Sequence, residues 1–190
     1  FNKVAMMLGS VEGQFGYGAV GLALGRMAKI PSQRKISRVK DGPATYSQCY
    51  LGAEKAEVLE NAWDEIDSKG YIFLRSFPNR SGYYFSSDKT LTQVDDDFNS
   101  LARGLVMDEA VLIAYDTLIE ELSDEIPVTT TGTIQPAIVK SWQNNIERQI
   151  NGLMVDQGKL SGVKAFIDEN QNILVTNNLT VSLQLLPVGY

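Results

Sequence analysis

The stretch LARGLVMDEAVLIAYDTLIEEL, residues 101–122, decides how the rest of the chain is read. Glycine is a poor residue inside a helix, so Gly104 divides the stretch. Residues 98–106 then read as a short extended lead-in. A helix follows, with Asp108 as its N-cap and Glu109 in the first turn, where a carboxylate is favourable. Leu112, Tyr115, Leu118, Ile119 and Leu122 recur at spacings of three and four, which places them on one apolar face. The far end is acidic: Glu120, Glu121, Asp124 and Glu125 precede Pro127. Carboxylates at a helix C-terminus oppose the dipole, so solvent or a basic partner must answer them. The pattern is that of a scaffold with a charged end.

The totals narrow the field. A chain of 190 residues makes one large domain or two small ones. A hydrophobic content of 44% supports an ordinary core. The formal charge of −6 argues against a general nucleic-acid binder. There is no histidine, which removes the commonest general base and the commonest transition-metal ligand. Cys49 is the only cysteine, so no disulfide forms within the chain and no zinc site of the usual kind is available. No apolar run approaches the ~20 residues that a bilayer span needs. The start, Phe1-Asn2-Lys3-Val4, has neither an initiator methionine nor a signal pattern, and the expectation is a trimmed piece of a longer protein.

In the first half, residues 4–8 read as a buried strand. Residues 18–30 read as a helix stopped by Pro31, with Gly21 and Gly25 on one face for close helix packing. Residues 53–68 read as an amphipathic helix in which Ala56, Leu59, Ala62, Trp63 and Ile66 share a side, ended by Gly70. Residues 71–77 form a strand, 78–82 a turn, and Tyr83-Tyr84-Phe85 a returning strand, giving a hairpin. This order suggests the tail of an α/β domain.

Two motifs invite chemistry. Gly16 to Gly21 match the dinucleotide fingerprint G-x-G-x-x-G, with Asp41 at about the expected ~20 residues. The context is wrong: residues 10–15 separate the glycines from the strand, residues 31–39 are polar and basic, and Asp41-Gly42-Pro43 reads as a turn. Asp95-Asp96-Asp97 suggests a metal, but no glycine and glutamate follow at calcium-loop spacing, so it reads as a solvated turn.

In the second half, Thr133 caps a helix running to about Gln157, with Gly158 as its C-cap. Ile134, Ile138, Trp142, Ile146, Ile150 and Leu153 form its apolar stripe. Lys140, Gln143, Asn144, Glu147 and Arg148 lie opposite. With the 108–122 helix it makes a helical hairpin. Residues 163–167 form a strand and 168–172 a turn. Residues 179–185 then alternate: Leu179, Val181, Leu183 and Leu185 face one way, Thr180, Ser182 and Gln184 the other, as in a half-buried strand.

The order of parts carries a resemblance. Gly82-Tyr83-Tyr84-Phe85 leads into Asp88-Lys89-Thr90-Leu91. Two helices follow, the second ending Leu153-Met154-Val155-Asp156-Gln157-Gly158. Ser161-Gly162-Val163-Lys164-Ala165-Phe166 comes next, and the alternating strand runs into Leu186-Pro187-Val188-Gly189. This resembles the C-terminal half of contractile phage tail sheath proteins, in particular a divergent sheath-like branch found in prophages of gut bacteria. It covers most of the chain and is best from Gly82 onward. The fold it implies is α+β with α/β character: residues 1–91 as the C-terminal portion of an α/β sheath domain, and residues 92–190 as an inner domain with a helical hairpin packed on a mostly antiparallel sheet.

The resemblance further implies a structural subunit that stacks with other copies as hexameric rings around a tail tube protein. Strands pass between neighbouring subunits, and contraction drives the tube through a target envelope. The place of such a protein is the virion tail, assembled in the bacterial cytoplasm. No catalytic residue, cofactor, metal, nucleic acid or membrane insertion is expected. The candidate partner contacts are Glu120 and Glu121 at the acidic helix end, Lys140 and Arg148 on the polar helix face, and Leu179, Val181, Leu183 and Leu185 on the last strand. The alternatives are a nucleotide-binding enzyme that uses Gly16 to Gly21, and a tail or secretion adaptor that shares the fold without forming a sheath.

Overall fold

The computed structural model describes residues 3–11, 17–121 and 125–189. The chain divides into two compact units, Phe1–Leu105 and Val106–Tyr190. In the first unit the elements are short and run in the order β1 (Met6–Met7), α1 (Val20–Lys29), β2 (Tyr50–Leu51), β3 (Glu54–Lys55), α2 (Trp63–Ser68), β4 (Tyr71–Ile72), β5 (Leu74–Phe77) and β6 (Arg80–Phe85). β1 pairs in parallel with β4, while β2–β3 and β5–β6 are antiparallel. The core gathers around Ile72, Phe73, Leu74 and Phe85, with Ile36, Cys49, Ala56 and Trp63. The expected hairpin is present, but its turn is only Pro78-Asn79: Arg80 already pairs with Phe77, so residues 80–82 belong to β6 rather than to the turn.

Several local expectations give way to tertiary demands. Residues 53–68 do not form one helix. Glu54 and Lys55 are drawn into a ladder with Tyr50 and Leu51. A 3₁₀ stretch, Ala56–Ala62, then bends at Leu59 before α2 begins. The Trp63 indole N–H donates to the Ala56 carbonyl at 3.0 Å, which pins the bend. Residues 4–8 are not a fully buried strand either, since Val4 and Met6 are exposed. Gly21 and Gly25 face open space and support no close helix contact.

α3 (Leu101–Leu118) starts earlier than Gly104 and Asp108 suggest. Its start is fixed by the buried Asp88, whose carboxylate accepts from Ser100 Oγ at 2.9 Å and whose carbonyl accepts from Leu101 N–H at 2.8 Å. Gly104 then continues the helix, donating to Ser100 O at 3.1 Å. Ser100 and Asp88 thus do the work that Asp108 was expected to do, and a glycine's cost of about 1 kcal/mol is absorbed inside a well-anchored turn.

In the second unit α3 continues and is followed by α4 (Pro136–Ile150), β7 (Leu160–Ile167), α5 (Ile173–Thr176) and β8 (Val181–Pro187). Pro136 occupies the first turn of α4, where its missing N–H costs nothing, so the helix starts there rather than at Thr133. A wide π turn, Asn151–Val155, extends α4. Ile134, Trp142, Ile146 and Ile150 are buried as their spacing predicts, but Met154 takes the last place and Leu153 is exposed. On the supposed polar side, Gln143 is buried. β7 and β8 form an antiparallel pair with Ala165 opposite Leu183 and Ile167 opposite Val181. Val106, Ala110 and Ala114 of α3, Ile146 and Ile150 of α4, and Leu160 and Ala165 of β7 share one core, onto which Val181, Leu183 and Leu185 pack.

Candidate assembly interface

The last strand presents both a face and an edge. Leu179, Val181, Leu183 and Leu185 are half-buried and turn inward, while Ser182, Gln184 and Leu186 are exposed. The edge follows from one hydrogen bond. The N–H of Ala165 on β7 donates to Glu147 Oε1 of α4 at 2.9 Å, away from Leu183 opposite it. Opposed residues of an antiparallel pair alternate between hydrogen-bonded and non-hydrogen-bonded, so Ala165 and Leu183 form a pair of the second kind. The backbone groups of Val181, Leu183 and Leu185 therefore point to the outer edge of β8. Among the described residues no strand lies along that edge.

Beside it runs a groove of ≈ 710 Å³, lined by Val111, Tyr115 and Ile119 on the α3 side, Trp142 and Ile134 at its floor, and Leu179, Val181 and Leu183 on the strand side. Glu121 is at its rim. The structure thus brings together Glu121, Leu179, Val181 and Leu183 from the eight candidate contacts. Glu120, Lys140, Arg148 and Leu185 do not line the groove. Glu120 is exposed on the 3₁₀ turn Ile119–Glu121. Lys140 donates to Gln143 Oε1 at 3.1 Å and Arg148 to Asn145 Oδ1 at 3.4 Å, both from exposed positions on α4.

The sequence reading missed the outward face of α3. Leu112 and Tyr115, taken as core, are 66% and 59% exposed, and Val111 and Ile119 are exposed with them. The inward side is made of smaller residues, Val106, Ala110 and Ala114. The available signal was the run Val111-Leu112-Ile113-Ala114-Tyr115: apolar residues on all sides mean that a helix is covered on all sides. Glu147 was also missed, since nothing in its neighbourhood marks it as the partner of a strand amide.

A second polar cluster lies in the first unit. The Tyr83 hydroxyl donates to Glu57 Oε1, and Gln48 Nε2 donates to Tyr83 Oη at 2.6 Å and to Glu57 Oε2 at 3.0 Å. Burial, then the hydrogen bond and charge of Glu57, push the Tyr83 hydroxyl up to about 12. Burial would raise Glu57, but the hydrogen bond from Tyr83 heads the contacts that hold it below the usual carboxylate range. Cys49 is pushed up to about 12 by burial and by the charge of Glu57. Tyr83 and Cys49 thus keep their protons while Glu57 stays ionised, and the hydrogen bonds among Gln48, Glu57 and Tyr83 tie their segments together.

Of the glycine fingerprint, Gly16 lies outside the described residues. Asp41, which such a site would use for a ribose, is engaged by Arg34 and Arg38, and Arg26 donates to the Asp41 and Gly42 carbonyls at 3.1 and 2.6 Å. Among the described residues, no group of three His, Cys, Asp or Glu side chains is placed to hold a metal, and no helix is long and apolar enough to cross a membrane.

Two domain profiles of one family match the chain: the DUF2586 N-terminal domain over residues 2–89 and the DUF2586 C-terminal domain over residues 97–190. The chain belongs to the DUF2586 family. No curated protein sequence matches it. Among solved structures, this DUF2586 chain is similar to one in the helical sheath of the anti-feeding prophage in its contracted state, with a TM-score of 0.63, 15% identity, and coverage of 90% of this chain and 46% of that one. A chain of the anti-feeding prophage baseplate gives 0.59 and 14%, covering 90% and 45%. The sheath complex of an extracellular contractile injection system, PVC, in its contracted state gives 0.52 and 15%, covering 69% and 37%. The chain spans less than half the length of each of these. The fold of this DUF2586 protein, mixed helix and sheet with small antiparallel sheets, is that of contractile sheath proteins.

Proposed function

We propose that this protein is a structural subunit of a contractile tail sheath, assembling with copies of itself as stacked rings around a tube and contracting to drive the tube through a target envelope. Residues 1–91 would then be the end of an α/β sheath domain and residues 92–190 the inner domain. The observation that carries the reading is the outer edge of β8. It offers the backbone groups of Val181, Leu183 and Leu185 with no strand beside them among the described residues. An extended segment from a neighbouring copy would complete that ladder. Contacts that do not close on themselves build helices rather than discrete particles.

Glu120 and Glu121 belong to this reading as contacts to a neighbour, and Lys140 and Arg148 as contacts to a neighbour or to the tube. No catalytic residue or cofactor takes part. Electron microscopy of the full-length protein expressed with its tube partner tests the proposal. Helical tubes with six-fold rings are expected. Isolated particles would instead favour an adaptor that shares the fold.

A further inference from the structure

We infer that the outward stripe of α3 is covered, in the assembly, by the basic stretch 26–40 of a second copy of this chain. The inference rests on the self-assembling reading above and names the partner of its acidic helix end.

The first observation is a run of α3, residues 111–115, that is apolar throughout yet, among the described residues, covered on one side only. Val106, Ala110 and Ala114 are buried, while Val111, Leu112, Tyr115 and Ile119 are exposed. Water is a poor neighbour for such a stripe, and contiguous exposed apolar residues of this kind mark contact surfaces. The second observation is charge. Asp116 and Glu120 are exposed along the same stripe, Glu121 stands at its end, and among the described residues none of the three has an ion pair. The unit that carries them, Val106–Tyr190, has four basic side chains against eleven acidic ones. The partner must therefore be basic and partly apolar.

The same chain carries such a surface. Residues 26–40 hold six basic side chains and no acidic one. Lys29, Arg34 and Lys40 are exposed, and Pro31 and Ile30 supply apolar area between them. Arg34 and Arg38 share the single carboxylate of Asp41, so the stretch keeps a net positive charge. Lys29 and Lys40 have no ion pair among the described residues. The two patches are different regions of one chain, so their contact is heterologous: each copy gives one patch and receives the other, and the chain of contacts continues. Complementary charge at the rim sets register and the rate of encounter, and the apolar stripe supplies the buried area.

The test uses charge exchange on the full chain. The variants are Asp116→Lys with Glu120→Lys, and Lys29→Glu with Lys40→Glu; all four positions are exposed, and circular dichroism confirms folding. Self-association is followed by analytical ultracentrifugation at low and high salt. The expected result is salt-weakened association of the unaltered chain, a loss of about tenfold in each variant, and recovery when the two variants are mixed. Variants that associate like the unaltered chain, a mixture that does not recover, or a chain that stays monomeric throughout would each overturn the inference. Helical tubes formed equally by both variants would remove this contact and leave the sheath reading standing. Absence of tubes from the unaltered full-length protein would remove the sheath reading itself.

Discussion

Glu147 on α4 accepts a hydrogen bond from the backbone N–H of Ala165 on β7, so one edge of the terminal hairpin is guarded by a side chain, while among the described residues no strand lies along the other. Replacing Glu147 with alanine leaves the amide of Ala165, which is only 5% exposed, without a partner. Such a loss costs about 1–3 kcal/mol and frees a second strand edge. Denaturant unfolding of Glu147→Ala should show that destabilisation, and light scattering should show added aggregation. Glu147→Gln retains an acceptor oxygen and should behave close to the original on both measures.

Tyr83 gives a pH prediction whose sign is fixed by its neighbours. Its hydroxyl is raised from 10.0 to about 12 in the folded chain. A group raised on folding contributes stability that is fully present below its unfolded value and lost as pH rises through the folded one. The contribution of Tyr83 to stability against denaturant should therefore hold up to about pH 10 and fall between about pH 10 and 12. Cys49, raised from 9.0 to about 12, adds to the fall from its own lower starting point. In a spectrophotometric titration of tyrosinate, Tyr83→Phe should lose the component near pH 12.

Asp88 ties the start of α3 to the segment before it. Its side chain, nearly buried, accepts from Ser100 Oγ and stands 3.9 Å from Lys35 Nζ. Asp88→Ala removes the acceptor of the buried Ser100 hydroxyl, which keeps only the bond it accepts from the Arg103 N–H, at a cost of about 1–3 kcal/mol. Hydrogen exchange should then quicken at Ala102 and Arg103 before it does so at the middle of the helix. Asp88→Asn should recover part of the protection.

Gly82 is held at φ +85°, and a Cβ there would sit 2.6 Å from Pro43 Cβ and 3.0 Å from the Thr45 carbonyl. Both the left-handed backbone and the contact with 43–45 oppose a side chain. Gly82→Ala should destabilise the first unit by more than about 1 kcal/mol, read from thermal melting. Gly21→Ala is the contrast. Gly21 lies in α1 with nothing near its Cβ position, so the same exchange there should stabilise by a few tenths of a kcal/mol to about 1.

What was legible in the sequence was whatever a local period could decide alone. The alternation of Leu179, Val181, Leu183 and Leu185 gave the inward face of β8, because one side of that strand meets a core and the other meets water. Ile134, Trp142, Ile146 and Ile150 gave the buried side of α4 for the same reason. The period failed where a distant group intervened. Residues 53–68 have helical spacing, but the ladder of Glu54 and Lys55 with β2 and the Trp63 bond to Ala56 break them up. On α3 the larger residues were assigned to the core, whereas small ones line it and the large ones lie outside. Size ranks residues by what they gain from burial, but a crowded core admits those that fit. The acidic end was visible in sequence; the groove beside it was not, since it needs residues from four separate elements.

Between β7 and β8 the Gln171 carboxamide donates to the Thr180 carbonyl at 2.9 Å and accepts from the Thr180 N–H at 2.7 Å. A side chain thus stands in for one rung of main chain and cinches the neck of the connection. Residues 174–178 beyond it are exposed. Length changes in that tip should leave the strands aligned as they are, so evolution can refit the rim of the groove to new neighbours while the two strands keep their places.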